Sequence, residues 1–194
     1  MSLTVEKCLQ GWTNSLRQMN AMVDIVFFGD SLIYYGDFSL VFPDKVICNL
    51  GLRGDTLRGL TNRVEQVKLL KPKTVYLMAG INDVAATSVD EFMEQYELLI
   101  MLLREQIPSM ELIVFNMLPV NDVDFSISCN NKQIVRGNQI IASLCSKHGL
   151  RCVDLYAIYE HNGKLPKEMT RDGIHLFPKE YSRWYEVINS LFKI

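Results

Sequence analysis

The stretch VDIVFFGDSLIYYGD, residues 23–37, decides how the rest of the chain is read. A nearly all-apolar run from Val23 to Phe28 breaks at Gly29-Asp30-Ser31, and aromatic residues follow at once. Such a short apolar run, closed by a glycine, is expected of a strand buried on both faces of a parallel sheet. Ser31 is then either a turn residue capping the next helix or a nucleophile displayed at a sheet edge. The stretch alone leaves both open.

Four further runs share that character: VICNL (46–50), TVYLMA (74–79), ELIVFNM (111–117) and RCVD (151–154). Between them the apolar residues change to a helical period. Leu57, Leu60, Val64, Val67 and Leu70 predict one helix, stopped by KPK at 71–73. Val89, Phe92, Met93, Tyr96, Ile100 and Leu103 predict a second, with Ser88 and Glu91 as its capping box. Residues 132–148 and 178–193 carry two more, and an amphipathic helix at about 3–19 precedes the first strand. Strand and helix in alternation give a three-layer α/β/α sandwich around a parallel sheet. At 194 residues without a composition shift, the chain reads as one domain, with 1–21 as an N-terminal helical extension.

Composition narrows the function classes. The chain is 48% hydrophobic and 22% charged, with 20 basic against 22 acidic residues and a net charge of -2. No basic run or RNA-type aromatic pattern points to nucleic acid. No apolar stretch is long enough to span a bilayer, and the start, MSLTVEKCLQGWTNSL, does not read as a secretory signal. Cys8, Cys48, Cys129, Cys145 and Cys152 are odd in number and irregular in spacing, which suits reduced, buried thiols and points to the cytoplasm. Cys145, His148 and Cys152 lack a fourth ligand for zinc, so packing is the preferred reading. No P-loop is present. No metal or cofactor is expected.

In open α/β sheets ligands bind outside the carboxyl ends of the strands. Those ends carry Gly29-Asp30-Ser31, Asn49 with Gly51 to Thr56, Gly80-Ile81-Asn82-Asp83, and Pro119 to Asp122. A serine nucleophile needs an adjacent base, and the base an orienting group. Of three histidines, His148 fits a helix C-terminus and His161 a turn. His175 follows Asp172 by three residues in a glycine-containing loop, RDGIH, which is either an ordinary turn or a base with its carboxylate. Gly54 and Asn82 are likewise either turn and capping residues or donors to an oxyanion. Asp30, Tyr34, Arg53 and Asn121 stand at the same edge as candidate substrate contacts. Tyr34, Tyr35, Phe38 and Phe42 either wall an acyl or sugar pocket or pack a short helix. Arg53 either attracts an anionic substrate or is solvated. The polar segment 121–137 lies at the active edge and is read as setting the choice of leaving group.

Four blocks in order resemble the GDSL family of serine esterases and lipases, of the SGNH hydrolase superfamily: FFGDSL (27–32), NLGLRGDT (49–56), GIND (80–83) and DGIH (172–175). MLPVND (117–122) is similar to the segment after the fourth strand in the branch resembling platelet-activating-factor acetylhydrolase. The resemblance implies a flavodoxin-like strand order, 2-1-3-4-5. It implies Ser31 as nucleophile, His175 and Asp172 as the rest of a triad, and Ser31, Gly54 and Asn82 as the oxyanion hole. It also implies a small-molecule carboxylic ester substrate. The compact chain leaves no obvious lid, so a short acyl ester, such as an acetyl group on a carbohydrate, is favoured, with a lysophospholipid or similar lipid as an alternative. Acyl transfer to an alcohol, or carbohydrate binding without catalysis, are further alternatives. Ile33 stands where the Gly-x-Ser-x-Gly elbow of α/β-hydrolases has its second glycine. Phe177, Pro178 and Glu180 replace the smaller residues usual after the histidine, while Tyr181 fits the pattern.

Overall fold

The structure, a computed structural model, describes residues 23–191. The helix expected at 3–19, the N-terminal extension and Cys8 lie outside the described residues. Within them, β1 (Ile25–Gly29), β2 (Ile47–Gly51), β3 (Thr74–Met78), β4 (Glu111–Phe115) and β5 (Arg151–Val153) form a single parallel sheet. Its order is β2-β1-β3-β4-β5, as the resemblance implied. The helices are α1 (Ser31–Tyr35), α2 (Leu57–Asn62), α3 (Val64–Leu70), α4 (Val89–Gln106), α5 (Asn131–His148), α6 (Tyr156–Tyr159) and α7 (Tyr181–Leu191).

Strand side chains alternate between two apolar layers. Val26, Phe28, Val75, Leu77, Leu112 and Val114 join a core with residues of α2 to α5. Phe27, Tyr76, Ile113 and Phe115 pack into the other core with Phe38, Trp184 and Ile188. That second layer is an aromatic stack: Phe27 lies between Phe38 and Tyr76 at 3.8 and 4.7 Å, and Tyr76 meets Phe115 at 5.4 Å. Each such pair adds about 0.5–1.5 kcal/mol beyond its buried area.

Three local expectations change. The single helix across 57–70 is two, broken at Arg63, whose backbone (φ −119°, ψ 17°) leaves the helical region. Both Arg63 and Val64 are buried, and the break lets consecutive residues face inward. At Ser88 the hydroxyl takes the Glu91 N–H, while the Glu91 carboxylate takes Gln95 instead. A full capping box forms instead at Asn130 and Gln133, where α5 begins one residue before the helix expected from 132. Strand β4 stops two residues early because the Asn116 side chain receives Leu155 and Tyr156 N–H groups, and Asn138 clasps both backbone groups of Met117.

Register puts the strand ends level: Gly29 pairs with Gly51 on one side and Met78 on the other. Gly51 must be glycine, because a Cβ there would meet the Tyr34 backbone nitrogen at 2.2 Å. This close approach seats α1 directly on the edge of the sheet.

Candidate active site

Strand β1 delivers Ser31 to the first turn of α1. The helix cap is Asp30 rather than the serine, its Oδ1 accepting the Leu32 N–H at 2.9 Å. The far end of α1 is fastened by Asn49, which donates to the Ile33 and Gly36 carbonyls, and the Tyr181 hydroxyl donates to Leu32 O. Ser31 is thereby held from three directions, with 5% of its surface exposed.

The histidine loop arrives from 144 residues away, and Ser31 Oγ lies 2.8 Å from His175 Nε2. His175 Nδ1 lies 2.8 Å from Asp172 Oδ2, while Asp172 Oδ1 accepts the backbone N–H groups of Ile174 and His175. A three-residue separation suffices because Gly173 turns the chain at φ +91°. Thr170 closes the loop, donating to His175 O and accepting from Gly173 N. Burial favours the neutral acid at Asp172, but the His175 and Ile174 bonds outweigh it and hold the carboxyl below the ordinary range.

Gly54 turns with φ +72°, a left-handed conformation that favours glycine. The Asn82 side-chain amide donates to Asp55 O at 2.7 Å, which ties it to the Gly54 loop. One N–H is spent on that bond and the other remains for a ligand. The Asp83 carboxylate accepts the Leu57 N–H and joins the same loop to the end of β3.

Behind the loop lies a charged network that the sequence reading did not identify. Arg63, 3% exposed, binds Asp55 Oδ2 through Nε at 2.6 Å and donates to Leu50 O and Gly29 O at 2.7 and 2.9 Å. Its guanidinium also lies over the Phe28 ring at 4.5 Å. One cation thus holds the last carbonyl of β1, the penultimate carbonyl of β2 and the Gly54 loop. Burial works against both charges of the pair, and their mutual attraction opposes it. The signal was present in the sequence: Asp30, Asp55 and Asp83 at adjacent strand ends call for a buried counter-charge.

Two candidate substrate contacts are corrected. Asp30 is 1% exposed and its carboxylate caps α1, so it does not face a ligand. Asn121 is fully buried, its side chain exchanging hydrogen bonds with Asp124 and its N–H bound to Gly173 O. It braces the histidine loop from below. Tyr34 and Arg53 remain exposed at the rim. The aromatic cluster divides: Phe38 and Phe42 pack in the core, whereas Tyr35 meets the His175 ring edge-on at 5.5 Å. The other two histidines are engaged elsewhere, His148 with Glu97 at 2.6 Å and His161 in a tight bridge to Lys164. Phe177 is partly exposed, and Pro178 to Glu180 form a 3-10 turn leading into α7.

The acid cluster gives stability a definite pH dependence. Burial drives Asp30 from 3.8 up to about 7, against the Leu32 N–H and helped by Asp55 and Asp83; burial likewise raises Asp83 to about 6. The folded protein therefore holds protons that the unfolded chain releases near pH 3.8. Stabilisation is complete below that value and is lost as pH rises through about 6 to 7. The thermal midpoint is expected to fall between pH 5 and pH 8. Asp30→Asn, which keeps a capping side chain, should flatten part of the slope. A wild-type midpoint that climbs across this interval would contradict the assignment.

Residues 27–182 match the family model described as GDSL-like Lipase/Acylhydrolase. No curated protein matches the chain in sequence. Among solved structures, one from Streptococcus pneumoniae, provisionally described as a platelet activating factor, is 23% identical with a TM-score of 0.82, covering 100% of both chains. A GDSL-like lipase from Bacteroides thetaiotaomicron is 20% identical with a TM-score of 0.78, over 94% of this chain and 96% of its own. An acetyl xylan esterase is 22% identical with a TM-score of 0.74, over 88% and 100%. At these identities the likeness is one of fold. The family match itself runs from within the first strand through the site loops to the start of α7, and so the chain belongs to the GDSL-like lipase/acylhydrolase family and is a carboxylic ester hydrolase.

Proposed function

We propose that the protein hydrolyses short-acyl esters, such as an acetyl group on a carbohydrate, through a Ser31–His175–Asp172 triad and an acyl-enzyme. The observation that carries this reading is the line of two 2.8 Å contacts from Ser31 Oγ through the His175 ring to Asp172. Asp172 holds the proton on Nδ1, which leaves Nε2 to accept the Ser31 proton as Oγ attacks the ester carbonyl. The oxyanion forms against the N–H groups of Ser31 and Gly54 and the free N–H of Asn82. His175 protonates the departing alcohol. It then activates a water that releases the acid and regenerates Ser31.

The short-acyl preference is supported by where the aromatic residues are spent. Phe38, 2% exposed, belongs to the core, and Phe42 packs against it beside Asp24, Ile25 and Lys73, residues apart from the Ser31 site, so neither is offered to a long acyl chain there. What meets the His175 ring is Tyr35, over which the cationic side chains of Arg53 and Arg171 lie. The acetyl xylan esterase among the fold neighbours is compatible with the same class. No helix among the described residues is long and apolar enough to cross a membrane, and the free thiols of Cys48, Cys129, Cys145 and Cys152 support a reducing compartment.

The test is a p-nitrophenyl ester series from acetyl to dodecanoyl, with a fluorophosphonate adduct mapped by peptide mass. Acetyl and butyryl esters should have the highest kcat/KM, and the adduct should sit on Ser31. Faster turnover of octanoyl and longer esters would remove the short-acyl preference. An adduct elsewhere would remove the nucleophile assignment. Asn82→Ala is expected to lower kcat by about 10²–10³-fold with KM little changed, the effect of losing one oxyanion donor. A folded Asn82→Ala protein with full turnover would exclude that role.

A further inference from the structure

We propose that Arg53 and Arg171, gathered around Tyr35 beside His175, form a subsite for an anionic group, a carboxylate or a phosphate, on the alcohol half of the ester. The proposal rests on the esterase reading above and adds a substrate class to it. Its starting point is a convergence of three segments of the chain. Arg53 comes from the loop after β2, Arg171 from the loop that carries Asp172, and Tyr35 from the end of α1. The Arg53 guanidinium lies 5.8 Å from the centre of the Tyr35 ring and that of Arg171 4.7 Å. The ring in turn meets His175 edge-on.

Neither arginine is neutralised in a way that would explain its position. Arg53 is exposed, and among the described residues its side chain meets only the Tyr35 ring. Arg171 reaches Asp172 through Nε at 3.3 Å, but the same carboxylate oxygen is closer to His175 Nδ1, at 2.8 Å. A guanidinium presents five N–H donors in a fork matched to carboxylate and phosphate oxygens. Arg53 leaves its donors unspent, whereas Arg171 shares its own between Asp172 and the Tyr35 side chain and keeps the remainder for solvent. In a chain with a net charge of -2, two guanidinium groups on one ring make a local positive rim. Both guanidinium groups lie over the Tyr35 ring, and Arg171 also bonds the Tyr35 side chain, which helps hold the long side chains in place. That preorganisation is what an anion-binding subsite needs.

Position decides which half of the substrate bears the charge. The departing alcohol oxygen must reach His175 Nε2 to take its proton, while the carbonyl oxygen turns toward Gly54 and Asn82. The alcohol therefore passes along the His175 ring, where Tyr35 and its two arginines begin.

A matched pair of chromogenic substrates tests this: 3-acetoxy-4-nitrobenzoate and its neutral N-methylamide, which share an acyl group and a nitrophenol leaving group. The anionic ester should have a kcat/KM about tenfold higher, from charge-assisted bonds to the rim. Raising NaCl from about 20 mM to about 500 mM should shrink that ratio, because exposed charges are screened. Arg53→Gln and Arg171→Gln should each lower the ratio at least about threefold, whereas Arg53→Lys should keep part of it. A ratio near one, untouched by salt and by Arg53→Gln, would overturn the subsite and leave the esterase reading standing. No turnover of either ester by the wild type would remove the esterase reading, and the subsite with it.

Discussion

Ser31→Ala is expected to lower kcat on p-nitrophenyl acetate by about 10⁶-fold, and His175→Ala by a similar factor, as for serine hydrolases whose triads act as a unit. The double substitution should be no worse than either single one. Non-additivity is the informative part. If Ser31 and His175 supplied separate effects, their losses would multiply; if the histidine acts only by activating the serine, the second loss has nothing left to remove. Residual turnover of about 10³–10⁴ over water should survive in each variant from the oxyanion donors and substrate binding. Folding should be nearly unaffected. Ser31 contributes one side-chain hydrogen bond, worth about 0.5–1.5 kcal/mol net, and so a shift of only a few degrees in the thermal midpoint. Stopped-flow and steady-state rates on the purified variants decide the matter. A Ser31→Ala protein keeping more than about one hundredth of wild-type kcat would remove the serine from its role, since no triad member is that dispensable.

The sheet was legible because each strand is buried on both faces and therefore spelled in continuous apolar residues. The five runs read from the sequence correspond to β1 through β5 within two residues at each end. Strand order was a different matter. It came from the resemblance, since nothing in a run such as VYLMA records which neighbour it will pair with. The parts of the site that could be read were those whose chemistry is local, as in Asp172 and His175 three residues apart on one loop. What could not be read was burial. Asp30 and Asn121 looked like exposed polar residues at an active edge, yet the fold uses one to cap α1 and the other to brace the histidine loop. The four aromatics after Ser31 carried no mark of which would face the core. Phe38 turns in to stack on Phe27, and Tyr35 turns out to His175. Arg63 was signalled only indirectly, by the three acids at adjacent strand ends, because a lone arginine in an amphipathic pattern is ordinarily assigned to solvent.

Arg63→Met is expected to cost about 3–5 kcal/mol of folding stability, the range found when one partner of a buried ion pair is removed. The reason is what the substitution leaves behind. Asp55, with 4% of its side chain exposed, loses its counter-charge, and the Gly29 and Leu50 carbonyls lose their guanidinium donors. Methionine replaces most of the volume over Phe28 but none of the hydrogen bonds. For a domain of this size the midpoint should fall by roughly 6–20 °C, taking about 2–4 °C per kcal/mol. A second substitution separates the pair from the packing. Asp55→Asn combined with Arg63→Met removes the stranded charge, so the double variant should be more stable than Arg63→Met alone. Turnover offers an independent reading. Asp55 is the residue after Gly54 and its carbonyl orients the Asn82 amide, so loosening Arg63 should lower kcat by disturbing the oxyanion donors while leaving fluorophosphonate labelling of Ser31 in place. If Arg63→Met instead unfolds with the wild-type midpoint and turns over at the wild-type rate, the buried cation has no structural task, and the alignment of the β1 and β2 ends with the Gly54 loop must be held by the sheet itself.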